Sequence, residues 1–148
     1  MLDMTRDEID TLLIGRLCMA DAQGRPYVIP LPFCWTAGTI YLRLPDTGRK
    51  ASVLAQNDRV CFEIDVFTNR LDDYASVLIE GRLASVTDLA EKQLARRASE
   101  RKYTRLRGGY RPGHGRTTPL EELPLRKILV ESISGRKRES KTLNRRAT

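Results

Sequence analysis

The segment that most restricts the fold of this chain is an apolar run interrupted by two prolines, residues 26–35, PYVIPLPFCW. Its β-branched and aromatic residues favour a strand, but Pro30 and Pro32 each lack the backbone N–H that a sheet ladder needs. Because these prolines are two residues apart, their missing donors lie on the same edge of the strand. We therefore expect that edge to face solvent, a bulge or a ligand rather than a neighbouring strand.

Five more segments are predicted strands, because runs of apolar and β-branched residues alternate with turns rich in glycine, proline and aspartate. Gly81, in the middle of the longest run, predicts a bulge or a close backbone approach. Six strands joined mainly by turns predict a mostly β fold, a six-stranded antiparallel barrel with peripheral helices. The five additional segments are residues 16–20, 39–44, 59–67, 74–86 and 125–134.

Three helices are predicted around this barrel. The first follows a capping box that starts at Thr5, and it ends near Gly15. A short second helix covers residues 49–56. The third begins after the cap residue Asp88 and runs to about residue 103, and its few apolar positions place it on the surface.

The rest of the chain is predicted to be irregular. Residues 104–123 are rich in glycine, proline and arginine and predict a long loop, in which we interpret Tyr103 and Tyr110 as packing residues. The chain is expected to form one domain, residues 1–135, followed by a flexible basic tail, residues 136–148.

Composition narrows the class of protein. No apolar run approaches the ~20 residues of a membrane span, and acidic residues interrupt any early signal sequence, which points to the cytoplasm. The net charge is +7, and its basic excess is concentrated in residues 96–116 and in the tail. Such segments could attract nucleic acid, but a solvated surface is the commoner outcome. Cys18, Cys34 and Cys61 are interpreted as reduced thiols on strands, and with His114 as the lone histidine no metal site is expected.

A candidate anion site lies where a predicted strand meets the second helix, at Thr47-Gly48-Arg49-Lys50. Gly48 allows close approach of the backbone to a ligand, and the first turn of a helix has unpaired N–H groups. Arg49 can contact two phosphate oxygens at once, and Lys50 adds a second positive charge. These residues by themselves fit either a phosphate cradle or a solvent-exposed helix cap.

Beyond these local patterns, the run from Leu17 to Val86 resembles the pyridoxamine 5'-phosphate oxidase-like flavin-binding split-barrel superfamily, nearest its nitroimidazole-resistance (nitroreductase-like) branch. The resemblance keeps its order and spacing over about half of the chain. The matching pieces are Gly24–Pro30, Phe33, Tyr41, Gly48–Lys50, Asn57–Phe62, Tyr74–Val77 and Glu80–Arg82.

The resemblance implies a split β-barrel of the FMN-binding type, with FMN as cofactor and FAD as a possible alternative. It implies that the backbone of Val28, Ile29, Pro30, Leu31, Pro32 and Phe33 runs beside the flavin ring. Arg43 and Leu44 would also lie beside the flavin, Thr47–Lys50 would bind its phosphate, and Ser76 would supply a polar contact. It further implies a homodimer with flavin at the subunit interface, completed through the last strand or the 104–123 loop.

One sequence difference from the family leaves the catalytic residues unassigned. Many nitroimidazole-resistance relatives carry a histidine where this chain has Arg43, and an arginine that stays protonated cannot act as a general base. No catalytic residue is therefore assigned, and the expected function is a flavin-dependent oxidoreductase of unknown substrate. The alternatives are a non-enzymatic flavin, haem or deazaflavin sensor on the same barrel and, less favoured, a nucleic-acid-associated protein.

Overall fold

The computed structural model describes residues 6–108 and 118–138 and contains one curled antiparallel sheet with helices at its periphery. The Thr5 cap, Tyr110, His114 and residues 139–148 lie outside the described residues. The elements are α1 (Arg6–Asp10), β1 (Ile14–Ala20), β2 (Pro26–Pro32), β3 (Cys34–Thr36), β4 (Thr39–Arg43), α2 (Gly48–Gln56), β5 (Arg59–Phe67), β6 (Tyr74–Ser85), α3 (Leu89–Leu106), a 3-10 helix (Leu120–Glu122) and β7 (Leu125–Arg138).

The strands lie in the order β2-β1-β5-β6-β7-β4-β3, and every pair is antiparallel. The sheet curls so that β2 contacts β4, although these two strands do not pair through backbone hydrogen bonds. The predicted mostly β, antiparallel split barrel with peripheral helices is confirmed. The predicted edge position of residues 26–32 is also confirmed, since β1 is the one ladder partner of β2 among the described strands.

The described strands number seven rather than the predicted six, because residues 26–35 divide at Phe33 into β2 and β3. Phe33 is 2% exposed, and its side chain packs edge-to-face on Phe62 at 5.4 Å between ring centroids. Its backbone N–H donates to the Tyr103 hydroxyl, and its carbonyl accepts from Lys102. The backbone groups of Phe33 are thus bonded to side chains of α3 instead of a neighbouring strand, which interrupts the strand there.

The first helix is shorter than predicted. It ends at Asp10, and Gly15, the predicted helix end, lies inside β1. A Cβ added at Gly15 would lie 2.3 Å from Cζ of Phe62, so the missing side chain leaves the space that the aromatic ring fills. Gly15 is therefore a packing glycine of the barrel wall rather than a helix terminus.

The longest pair of strands, β6 and β7, contains the irregularity that Gly81 predicted. The register shifts between Glu80 and Gly81, and a Cβ on Gly81 would lie 2.1 Å from the carbonyl oxygen of Leu129. β7 continues to Arg138, past the predicted strand end at 134, because its last residues pair with the beginning of β6. The first three residues of the predicted tail therefore belong to the sheet.

Two apolar clusters stabilise this arrangement. The larger fills the barrel and includes Phe33, Phe62 and the half-buried Trp35 packed against it. The smaller lies between α3 and the outer side of β4 and β7, around Tyr41 and Ala95. α3 is capped by Asp88, as predicted, but it runs to Leu106 and so takes up the start of the predicted loop. Within the described residues, no helix has the length and apolar character needed to cross a membrane.

Candidate functional site

The start of α2 has the open, cationic geometry expected of an anion cradle. Thr47 is its N-cap in an extended conformation, and the Thr47 side chain forms no capping hydrogen bond with the helix. Gly48 has φ of +84°, a backbone conformation that side chains disfavour. Among the described residues, no atom other than those of its chain neighbours and its own helix backbone lies within 4 Å of where its Cβ would be. Thr47, Gly48 and Arg49 are all exposed, so the first turn of α2, with its unpaired N–H groups, lies at the protein surface.

Arg49 connects this cradle to the strand β2. Its guanidinium carbon lies 4.4 Å from the centroid of the Tyr27 ring, a cation–π distance. Within residues 6–108 and 118–138, neither Arg49 nor Lys50 forms a salt bridge with a carboxylate. Two cations thus stand at a helix N-terminus with their charge available to an anion.

β2 offers one open edge beside this cradle. Val28, Pro30 and Pro32 are exposed, whereas Ile29 and Leu31 point inward and pack against the main core. β1 pairs with β2 over the full length from Ile14 to Ala20, so the proline positions that lack donors can be placed on the open edge. A ligand along that edge would meet backbone groups and the exposed side chains.

A cavity of about 350 Å³ begins where β2 ends, between α3 and the outer side of β3 and β4. Pro32, Phe33 and Arg43 line it, so the structure brings these three predicted site residues together. Arg43 is the last residue of β4, is exposed, and forms no salt bridge in the described part of the chain. The other lining residues are Cys34, Tyr41, Ala95, Arg96, Ser99, Glu100, Tyr103, Arg107, Leu123 and Leu125.

Lys102 and Tyr103 of α3 hold the break between β2 and β3 at the back of this cavity. Lys102 is 2% exposed, and its Nζ donates to the Phe33 carbonyl at 2.9 Å and lies 3.6 Å from the Phe33 ring centroid. The Tyr103 hydroxyl accepts from the Phe33 N–H at 3.0 Å and lies 2.7 Å from the Leu13 carbonyl, to which it can donate. Burial lowers the pKa of Lys102 from its ordinary value of 10.5 to about 8.

The helix predicted to reach about residue 103 is confirmed, but the interpretation of Tyr103 as a loop packing residue was wrong, because its hydroxyl bonds the Phe33 backbone from within α3. A signal was present, because Lys92, Ala95, Ser99 and Lys102 recur at helical spacing and share one face. On that face Lys92 donates to the carbonyl of Glu121 and Lys102 to that of Phe33. A search for apolar residues misses a helix face that binds its neighbours through buried cations.

A second polar cluster lies beneath the cavity. Tyr41 is 5% exposed, and its hydroxyl donates to Glu91 at 3.0 Å, while Lys127 donates to the same carboxylate at 2.9 Å. Burial, followed by the neighbouring Glu91, raises the pKa of Tyr41. The phenol therefore stays protonated, and the cluster fixes α3 against β4 and β7.

Two predicted site residues lie elsewhere. Leu44 is buried in the core and lines a separate cavity of about 260 Å³ beside α2. Ser76 is the third residue of β6, opposite Asp65 of β5 and Arg136 of β7. Since β1 and β5 stand between β6 and β2, Ser76 is about 14 Å from β2 measured along the sheet. One subunit therefore does not bring Ser76 to the open edge of β2.

Solved structures of similar fold come from several bacteria. A candidate 5-nitroimidazole antibiotic resistance protein from Bacteroides thetaiotaomicron is 20% identical, with a TM-score of 0.66 over 91% of this chain and 85% of that one. An FAD-binding protein from Mesorhizobium loti is 25% identical, with a TM-score of 0.62 over 90% and 95%. A haem-binding protein from Mycobacterium smegmatis is 14% identical, with a TM-score of 0.61 over 94% and 60%.

A comparison with curated proteins found no significant match. The family described as pyridoxamine 5'-phosphate oxidase matches residues 4–137, which is nearly the whole chain. That span includes the cradle at the start of α2, the open strand β2 and the cavity beside Arg43. The chain therefore belongs to the pyridoxamine 5'-phosphate oxidase family.

Proposed function

We propose that this protein binds a flavin nucleotide, FMN in the first instance, with its phosphate at the start of α2. The observation that carries the proposal is the pairing of two available cations, Arg49 and Lys50, with the open first turn of a helix. Helix N–H groups, an arginine fork and a lysine together form a strong site for a phosphate dianion. The family match and the FAD-binding protein of similar fold add support.

The strand β2 is the proposed position of the flavin ring. Arg49 stacks on Tyr27, so the phosphate site and the open edge of β2 are neighbours in space. Backbone groups along Val28–Phe33 would orient the ring, and Arg43 would place a positive charge beside it. A bound flavin supplies hydride or electron transfer, and a nearby cation stabilises its reduced, anionic form.

The proposed activity is that of an oxidoreductase whose second reactant occupies the cavity beside Arg43. The cavity shares Pro32, Phe33 and Arg43 with the proposed flavin site and has the volume of a small-molecule pocket. Its floor is apolar and its rim carries arginine, so it suits a flat organic molecule with an anionic or strongly polar group. Phe33, fixed by Lys102 and Tyr103, would separate this cavity from the barrel interior.

A homodimer is proposed because one subunit leaves Ser76 away from β2. A second copy could bring its Ser76 to the ring and exclude water from it. We also propose a cytoplasmic location, which agrees with three cysteines that form no disulfide among the described residues.

The test begins with the absorbance spectrum of the purified protein, followed by titration with FMN. The double variant Arg49→Ala/Lys50→Ala should weaken FMN binding at least about a hundredfold, because each lost charge-assisted contact is worth roughly 1.5–3 kcal/mol. Arg97→Ala/Arg101→Ala removes the same charge from exposed positions of α3 and serves as the control. Equal affinity of the two double variants would place the phosphate elsewhere, and no FMN uptake at all would refute the proposal.

A non-enzymatic binding or sensing role is the second candidate. It is favoured by Arg43 at a position where a base would be useful and by the haem-binding protein of similar fold. Turnover of a reduced nicotinamide with an electron acceptor separates an enzyme from a binder. An absorbance spectrum typical of haem rather than flavin would identify haem as the cofactor.

A further inference from the structure

Two cysteines face each other on the outer side of the sheet. Cys18 of β1 lies directly opposite Cys61 of β5 in the antiparallel register. Both are half-buried free thiols, and their side chains are in hydrogen-bonding contact. Neither residue takes part in the proposed flavin site, and the inward-pointing neighbours Leu17 and Phe62 fill the core instead.

We propose that Cys18 and Cys61 form a redox-modification site that closes to a cross-strand disulfide on reaction with small-molecule disulfides. Directly opposed residues of antiparallel strands have Cα atoms about 4.5–5.5 Å apart. Disulfides span Cα separations of about 4.4–6.8 Å, so the bond can form without moving either strand. The contact between the thiols shows that both side chains already point toward each other.

The chemistry is a pair of thiol–disulfide exchanges. The thiolate of one cysteine attacks a sulfur of oxidised glutathione, forms a mixed disulfide and releases one glutathione thiolate. The thiolate of the second cysteine then attacks the protein sulfur and releases the other glutathione. Overall the protein loses two protons and two electrons, and these convert one oxidised glutathione into two molecules of glutathione.

We expect the first attack to come from Cys18, because the surroundings of Cys61 disfavour its thiolate. Burial, then the neighbouring Cys18 and Glu80, raises the pKa of the Cys61 thiol to about 11, and the thiolate is the attacking form. The charged side chains on the same face near Cys61 are Arg16 on β1, Arg59 and Glu63 on β5, and Glu80 and Arg82 on β6. Cys61 therefore acts second, when the mixed disulfide is held beside it.

Cys34 provides an internal comparison. It is 4% exposed and lies on β3 opposite Tyr41, at the far end of the strand order from β1. No cysteine faces it in the described ladders. Of the three possible disulfides, the folded protein should therefore form the one between Cys18 and Cys61 and leave Cys34 reduced.

The position of the bond gives it a defined consequence. The chain between Cys18 and Cys61 contains β2, β3, β4 and α2, and so includes the open strand and the anion cradle. A disulfide would fix the ends of this whole segment to each other in the register of the folded sheet. Oxidation should thus raise resistance to denaturant, since the unfolded chain loses freedom.

The experiment incubates the full native chain with oxidised glutathione and measures intact mass without reductant. The wild type and Cys34→Ser should each lose two hydrogens, whereas Cys18→Ser and Cys61→Ser should form no internal disulfide. Circular dichroism establishes that each variant is folded, and alanine variants replace any that are not. Disulfide formation should be at least roughly tenfold faster in the folded Cys34→Ser protein than in the same chain in urea, because folding has already closed the loop.

The order of attack has its own readout. Cys61→Ser should accumulate a glutathione adduct at Cys18, and Cys18→Ser should react much more slowly. A folded Cys34→Ser protein that forms no disulfide, or a native disulfide that includes Cys34, would overturn the proposal. A faster adduct on Cys61 than on Cys18 would overturn the assigned order. None of these outcomes depends on whether the protein binds flavin.

Discussion

Substitution of Tyr103 by phenylalanine removes one oxygen atom from the point where α3 holds the strand break. That oxygen accepts the Phe33 N–H at 3.0 Å and lies 2.7 Å from the Leu13 carbonyl. The Phe33 carbonyl keeps its bond to Lys102. Leu13 is 40% exposed and Phe33 is 2% exposed. We therefore expect the Leu13 carbonyl to bind water in the variant and the Phe33 N–H to stay unpaired.

The cost should therefore be that of one buried, unpaired N–H group, about 1–3 kcal/mol of unfolding free energy. Urea unfolding followed by the fluorescence of Trp35, the one tryptophan in the sequence, measures it. The midpoint should fall with little change in the slope against urea, because the same surface is exposed on unfolding.

Tyr74→Phe is the matched control, since the Tyr74 hydroxyl forms no hydrogen bond among the described residues. It should change the unfolding free energy by less than about 0.5 kcal/mol. If Tyr103→Phe is as stable as this control, the hydroxyl does not hold the strand break, and our account of why β2 and β3 separate is wrong. If the protein binds FMN, the variant should also weaken that binding, because Phe33 ends the strand proposed to orient the ring.

Three other substitutions test particular contacts by urea unfolding. Gly81→Ala should lower the unfolding free energy by about 1–3 kcal/mol, because its Cβ would lie 2.1 Å from the rigid carbonyl oxygen of Leu129. Unchanged stability would show that the two backbones do not approach this closely at the bulge. Gly15→Ala should cost a similar amount by displacing Phe62, and unchanged stability would show that the ring has room to move. The contribution of Lys102 to the unfolding free energy should rise as the pH increases from 8 to 10.5. In this pH range the Lys102 amine is protonated in the unfolded chain but has lost its proton in the folded chain. This pH-dependent change is at most roughly 3 kcal/mol, and solvent screening and the Phe33 ring reduce it. It should be absent from Lys102→Met. Parallel pH profiles of the unfolding free energy for the wild type and Lys102→Met would contradict the lowered pKa of Lys102.

The barrel could be predicted because its determinants are local. Alternation of apolar residues identifies the strands, Gly81 marks the bulge, and the prolines of β2 exclude it from the centre of the sheet. The division at Phe33 could not be predicted, since it depends on Lys102 and Tyr103, about seventy residues away. The extension of β7 to Arg138 was also missed, because charged residues resemble a tail unless their backbone is known to pair with β6.

The candidate site, too, could be predicted from the sequence only in part. The cradle at Gly48, Arg49 and Lys50 is continuous in the sequence and could be identified from it. The contact of Arg49 with Tyr27 depends on how α2 packs, and the cavity beside Arg43 depends on α3, whose inner face is polar. Ser76 could be placed on its strand, but residue spacing says nothing about the distance between two strands of a sheet.

The two ends of the strand order have a consequence for the behaviour of the protein in concentrated solution. A sheet edge with free N–H and carbonyl groups can add a strand from another molecule, which is a route to aggregation. Here one edge is the three-residue strand β3, and the other is β2 with Pro26, Pro30 and Pro32. Within the described strands, neither edge offers a continuous row of hydrogen-bond donors. We therefore expect the open barrel to resist edge-to-edge polymerisation while β2 stays accessible to a small ligand.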